Sequence, residues 1–179
     1  MKLAKALLAI LLAVSAAPLL AAEAREMSIE HSIVINARPE VVWEVVSDFN
    51  GLPRWLATIT ESRIIAGKNR EVGAIRELRR ANGTKVEEKL IAYDPWNMSI
   101  GYTYVGGQVG ATDYFPTMTV SDAGGGKSKV VWKARFKRVA YWTDNPPEGQ
   151  DDATPLTNLN KVYPMGLANL KKLIEDGQR

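Results

Sequence analysis

The sequence predicts an α+β fold in which a seven-stranded antiparallel sheet curls around a long C-terminal helix. Three observations predict it. A strand-like alternation from Ile29 to Ala37 runs directly into an amphipathic helix at Pro39. From Ile59 to Lys137 the chain consists of short alternating segments separated by Gly, Asn, Asp and Pro, the signature of hairpin-linked strands. From Leu159 to Ile174 the apolar residues return to a helical spacing.

The start of the chain stands outside this fold. Lys2 and Lys5 precede an apolar run, Ala6 to Leu20, and Ala22-Glu23-Ala24 offers the small-x-small pattern read by signal peptidase, with Pro18 ahead of it. Residues 1–24 therefore read as a secretory signal, cut after Ala24 or after Ala22, and residues 25–179 as one exported domain. The rival is an uncleaved membrane anchor, since about 20 apolar residues span a bilayer. With no cysteine in the chain, there is neither a thiol to lipidate nor a disulfide staple, so stability has to come from the core. A net charge of +3, still small once the leader is removed, does not point to nucleic acid.

Ile29, His31, Ile33, Ile35 and Ala37 form one face of the first strand. Pro39 suits the first helical position, where its missing N–H costs nothing and its φ is already helical. Val42, Val45, Val46 and Phe49 then make one stripe, and Asn50-Gly51 and Pro53 end the helix; Trp43 falls off the stripe, a position from which it would cover the sheet edge. Strands follow at Ile59–Ala66, Gly73–Ala81, Lys85–Tyr93 and Met98–Val105, then around Tyr114–Val120 and over Val130–Lys137, with Gly124-Gly125-Gly126 as the last hairpin turn. Tyr141 to Pro155 is a polar connection whose length and two aromatics suggest a lid. In the closing helix Leu159, Tyr163, Leu167, Leu170 and Ile174 share a stripe. Pro164 lies inside it, which calls for either a kink near Asn160 to Pro164 or a late start. Gly166 would let the helix backbone approach the sheet closely.

The opening motif A-x-P-E-x-V-W-x-V-x-x-D-F-x-x-L-x-x-W, here Ala37 to Trp55, resembles that of the START-like (SRPBCC) superfamily, which includes polyketide cyclases, lipid-transfer proteins and plant abscisic-acid receptors. That resemblance implies a helix-grip fold with a hydrophobic cavity between sheet and closing helix. It does not imply one activity, because the fold hosts binders, carriers and some enzymes.

The Asn82-Gly83 hairpin decides which polar groups face that cavity. A two-residue turn would set Glu77 opposite Glu88, two carboxylates in mutual repulsion. A change of one in the loop count groups Arg76 and Leu78 with Glu88 and Leu90. The second register is the one expected, with Glu88 facing inward and Arg76 as its partner, serving either a ligand or only the fold. His31, the single histidine, reads first as a satisfied core or rim residue and second as a ligand-contacting proton switch. Tyr102, Tyr104, Tyr114 and Trp132 read as core, yet three tyrosine hydroxyls on neighbouring strands are more polar equipment than a dry core uses.

No nucleophile motif, phosphate-cradling glycine loop or metal-ligand spacing is present, and no cofactor is expected. Glu88, Arg76, His31, Tyr102, Tyr104, Tyr114 and Trp132 are the candidate ligand contacts; a cyclase-like acid–base role for them is the weaker reading. Lys129, Lys133, Arg135 and Lys137 share one face of the last strand, suited to steering toward an acidic partner, although such a row is ordinarily a solvated face. PPEGQDD and V-Y-x-x-G-L-x-N-L-K-K-L, the latter Val162 to Leu173, resemble the periplasmic accessory proteins of bacterial methanol oxidation, with Pro164 departing from the pattern. That resemblance implies a non-catalytic periplasmic factor working beside a dehydrogenase and its cytochrome. The alternative is a carrier or sensor of a small hydrophobic ligand, without stable membrane insertion after the signal is removed.

Overall fold

The computed structural model describes residues 25–177, so the leader and its cleavage site lie outside the described residues. Seven strands form one antiparallel sheet: β1 (Met27–Ile35), β2 (Ile59–Ala66), β3 (Ile75–Arg80), β4 (Lys85–Asp94), β5 (Ser99–Gly107), β6 (Thr112–Gly124) and β7 (Lys127–Lys137). Their spatial order is β1-β7-β6-β5-β4-β3-β2. Six strands thus follow one another as hairpins, and the first returns to pair with the last. Helix α1 (Pro39–Val46) and a short 3-10 turn (Leu52–Arg54) fill the β1–β2 connection, and helix α2 (Ala153–Asp176) closes the chain.

Helix α1 begins where the proline places it, but it stops at Val46, one turn earlier than the stripe predicts. The Ser47 N–H closes the last turn on the Trp43 carbonyl at 2.8 Å, and the chain then folds back through Asp48 to Gly51. Phe49 is buried all the same, delivered by that reversal rather than by the helix. Trp43 does not cover an edge: it is buried against Tyr93 of the interior strand β4, with ring centroids 5.7 Å apart.

The β3–β4 hairpin takes the second of the two registers. Arg76 pairs with Glu88 and Leu78 with Val86. The turn has three residues, Ala81 to Gly83, closed by Arg80 N–H to the Thr84 carbonyl at 2.8 Å. Gly83 sits at φ 84°, a left-handed conformation for which glycine carries no Cβ penalty. Glu77 now lies opposite Glu87 on the outer face, where Lys85 at 3.0 Å and Arg63 at 3.4 Å offset the like charge.

Helix α2 is a single helix of 24 residues running through Pro164, so the late start is overturned. The helix begins at Ala153 because Asp151 Oδ1 accepts from both the N–H and the hydroxyl of Thr154, at 2.8 and 2.7 Å, and fastens the first turn. Pro155 therefore belongs to that first turn, where its lack of an N–H is harmless. Pro164 is exposed. Tyr163, Leu167, Leu170 and Ile174 are buried on the sheet side, with Leu159 half-buried. Gly166 makes the close approach: a Cβ there would lie 2.9 Å from Leu56 Cδ1, 3.1 Å from Trp132 Cζ3 and 3.3 Å from Trp55 Cζ3.

Candidate functional site

Between the concave face of the sheet and the first half of α2 lies a cavity of about 670 Å³. Apolar residues such as Leu56, Leu78 and Met165 make much of its wall, and Glu88, Tyr102, Tyr104, Tyr114, Trp132 and Tyr163 supply polar groups. A volume of this size matches the small-molecule sites of proteins in general. Arg80, the Ala81-Asn82 turn, Gly110 and the exposed Lys161 also border it.

The buried ion pair behind the wall is the organising feature. Arg76 and Glu88 are 3% and 5% exposed. Nε and Nη2 of Arg76 both donate to Glu88 Oε2, at 2.9 and 2.6 Å. The third nitrogen, Nη1, donates to the Phe49 carbonyl. The guanidinium also lies 4.0 Å from the Phe49 ring centroid and 5.2 Å from that of Tyr102. Phe49 thereby clamps the cation with both backbone and ring, which gives the phenylalanine of the opening motif a physical role. Glu88 Oε1 takes no hydrogen bond from the described residues.

Tyrosines continue the polar line from Glu88. Tyr104 is the direct cross-strand neighbour of Glu88, and its ring stacks on Tyr114 with centroids 4.4 Å apart. The Tyr114 and Tyr163 hydroxyls share a buried hydrogen bond of 2.7 Å that ties β6 to α2. Tyr163 in turn stacks on Trp132 at 3.8 Å. Burial pushes the hydroxyl pKa values of Tyr102, Tyr104, Tyr114 and Tyr163 well above the ordinary tyrosine range, and the Glu88 charge pushes all four further the same way. At neutral pH these are fully protonated, uncharged donors.

A pH dependence of stability follows from those shifts. The folded state holds tyrosine protons that the unfolded chain releases above about pH 10. Stability from this cluster is complete below that pH and falls as pH rises past it. Denaturation midpoints should be independent of tyrosine ionisation near neutrality and drop above about pH 10, with the drop smaller in Tyr114→Phe. Smooth tyrosinate absorbance from all the tyrosines at their ordinary pKa, with the fold intact, would contradict the buried cluster.

Two of the expected ligand contacts lie elsewhere. Arg76 is not on the cavity wall but behind Glu88, so it would act on a ligand only through that carboxylate. His31 is half-buried at the sheet edge on β1, where Nε2 meets Asn160 Oδ1 at 2.8 Å and the ring stands edge-on to Tyr163 at 6.4 Å. It fastens α2 to β1 and does not line the cavity. Tyr141 and Trp142 pack edge to face, are exposed, and do not line it either. Residues that sequence reasoning did not place at the site are Tyr163, legible only as a member of the helix stripe, and Arg80, which donates to the Gln108 carbonyl at 2.7 Å.

The basic row lies on the outer face of β7. Arg135 reaches Glu26 at 3.4 Å and stacks over Phe115, and Lys137 reaches Asp113 at 3.1 Å. Lys129 and Lys133 are exposed.

Residues 26–175 match the family described as polyketide cyclase / dehydrase and lipid transport. The chain belongs to that family. The START-like resemblance of the opening motif is thereby confirmed, and the family's description spans both enzymes and carriers. The abscisic acid receptor PYL6 of Arabidopsis thaliana is 24% identical over 145 residues, a match covering 79% of this chain and 66%, just under two thirds, of the receptor. Among solved structures, XoxI from Bacillus cereus superposes with a TM-score of 0.70 at 25% identity, over 85% of this chain and 98% of that one. The Zhui aromatase/cyclase from Streptomyces sp. R1128 superposes at 0.72 with 15% identity, over 87% and 97%. These neighbours share the helix-grip arrangement of sheet and closing helix.

Proposed function

We propose that this chain is an exported, non-catalytic START-like protein that holds a small hydrophobic ligand in the cavity between sheet and α2. The single observation that carries the reading is a cavity of about 670 Å³ with apolar walls and one line of polar groups, Glu88, Tyr104, Tyr114 and Tyr163. A chain folded only for structure would fill that space, because interiors pack to crystal density. A relative named as a receptor of a small molecule supports the same reading. Against an enzyme, Glu88 has its charge committed to Arg76, and the four tyrosines are too weakly acidic to exchange protons near neutral pH.

A second reading, an accessory role beside a periplasmic dehydrogenase and its cytochrome, rests on the resemblance carried by PPEGQDD and Val162 to Leu173, with the exposed Lys129 and Lys133 of the basic row as the surface for steering. Arg135 and Lys137 have acidic neighbours of their own, which leaves less positive field for steering than the row of four would give. Periplasmic residence itself rests on the leader, residues 1–24.

Native mass spectrometry of the protein taken from its own periplasm tests all of this together. The expected mass begins at Arg25 or Glu23 and carries a retained small molecule. An apolar ligand absent from every preparation, with a protein partner retained instead, would favour the accessory reading. An intact Met1 in the membrane fraction would overturn export.

A further inference from the structure

The chemistry of the cavity wall restricts what its ligand can be. Glu88 spends one oxygen, Oε2, on both Arg76 nitrogens and leaves Oε1 as an acceptor on a wall-lining residue. In the Tyr114–Tyr163 pair one hydroxyl donates to the other, so one O–H proton of the pair has no acceptor among the described residues. Tyr104, directly across from Glu88 and stacked on Tyr114, bridges these two features. The wall therefore presents one free acceptor and at least one free donor along a continuous line.

Charge narrows the choice further. The Arg76–Glu88 pair is already balanced, so a ligand cation would add an uncompensated positive charge to a buried region. A ligand carboxylate beside Oε1 would set two anions against each other in a low-dielectric site. An uncharged hydroxyl meets both demands, since it donates one proton and accepts through its lone pairs.

We propose that the cavity selects uncharged hydroxyl-bearing hydrophobic ligands, the hydroxyl donating to Glu88 Oε1 and accepting from the tyrosine line, and that it rejects the matching carboxylates. This rests on the ligand-holding reading above. Abscisic acid, the ligand in the plant receptor's name, falls on the rejected side as an acid.

The test is a calorimetric titration of the full domain at neutral pH with four ligands on one skeleton: naphthalenemethanol, methylnaphthalene, naphthoate and naphthalenemethylammonium. The alcohol should bind roughly tenfold or more tightly than each of the others, the difference one well-placed charge-assisted hydrogen bond makes. Glu88→Gln, whose amide can also donate to a carboxylate, should collapse the alcohol-to-naphthoate ratio toward one. Tyr104→Phe, which leaves the ion pair in place, should weaken the alcohol and leave methylnaphthalene unchanged. Naphthoate binding as tightly as the alcohol would put the polar end at Arg80 and Lys161 and overturn the selection while leaving the cavity reading standing. A tighter ammonium would overturn it too. Binding by none of the four would overturn the ligand-holding reading itself, and the selection with it.

Discussion

Glu88→Leu should destabilise the fold by about 3–5 kcal/mol, the range for removing one partner of a buried ion pair. Arg76 would keep the Phe49 carbonyl and the two flanking rings, but the charge itself would have no anion. At 3% exposure it has little direct access to water. The double variant Arg76→Met with Glu88→Leu should recover most of the loss, because a buried pair as a whole contributes little beyond apolar residues of similar size. Urea denaturation at constant m-value measures both. A Glu88→Leu midpoint equal to that of the unaltered chain would mean that the Phe49 carbonyl and the flanking rings hold the guanidinium without the carboxylate, and would overturn the ion pair's part in stability.

The same variants separate a working site from a structural one. If the double variant regains stability and still binds naphthalenemethanol as well as the unaltered chain, the pair serves only the fold. If stability returns and the alcohol's advantage over methylnaphthalene is lost, the carboxylate is the recognition element. The two outcomes cannot be confused, because one is read from a denaturation midpoint and the other from a ratio of affinities.

Most of the architecture was legible because its signals are local. Alternation marks strands, and Gly, Asn, Asp and Pro mark turns, so all seven strands appeared in sequence order. The Arg76–Glu88 pairing was legible for a different reason: two like charges opposed in one register made the other register better, and the structure supplies it through a three-residue turn. Where reasoning failed, the deciding contact was distant. Helix α1 ends early because the chain turns back to bring the Phe49 carbonyl and ring to Arg76, 27 residues later. Helix α2 runs through Pro164, which lies on the exposed face of the helix away from the sheet, a tertiary circumstance that propensity cannot express. His31 kept its inward parity, yet Asn160 draws it to the helix at the sheet edge. The leader remains a sequence argument alone, since residues 1–24 lie outside the described residues.

Trp132→Ala should cost about 3–5 kcal/mol, the range for deleting a buried tryptophan. Trp132 is 2% exposed, stacks on Tyr163 at 3.8 Å, stands edge-on to Trp55 at 5.5 Å and meets the α2 backbone at Gly166. Removing it joins new empty volume to the existing cavity and takes away the surface that holds Tyr163 against Tyr114. Trp132→Phe should cost clearly less. The smaller ring keeps most of the stacking, and it deletes an indole N–H that makes no hydrogen bond of ordinary geometry among the described residues, and unpaired burial of such a group costs about 1–3 kcal/mol. Denaturation midpoints of the two variants, read beside naphthalenemethanol affinity, decide the point. Equal losses in both would show that the N–H has a partner in solution, and the obvious one is the neighbouring Tyr102 hydroxyl, whose pKa Trp132 lowers against the upward push of burial. A smaller loss for Trp132→Phe with unchanged affinity would show that the ring supports the cavity through the Tyr163 stack alone.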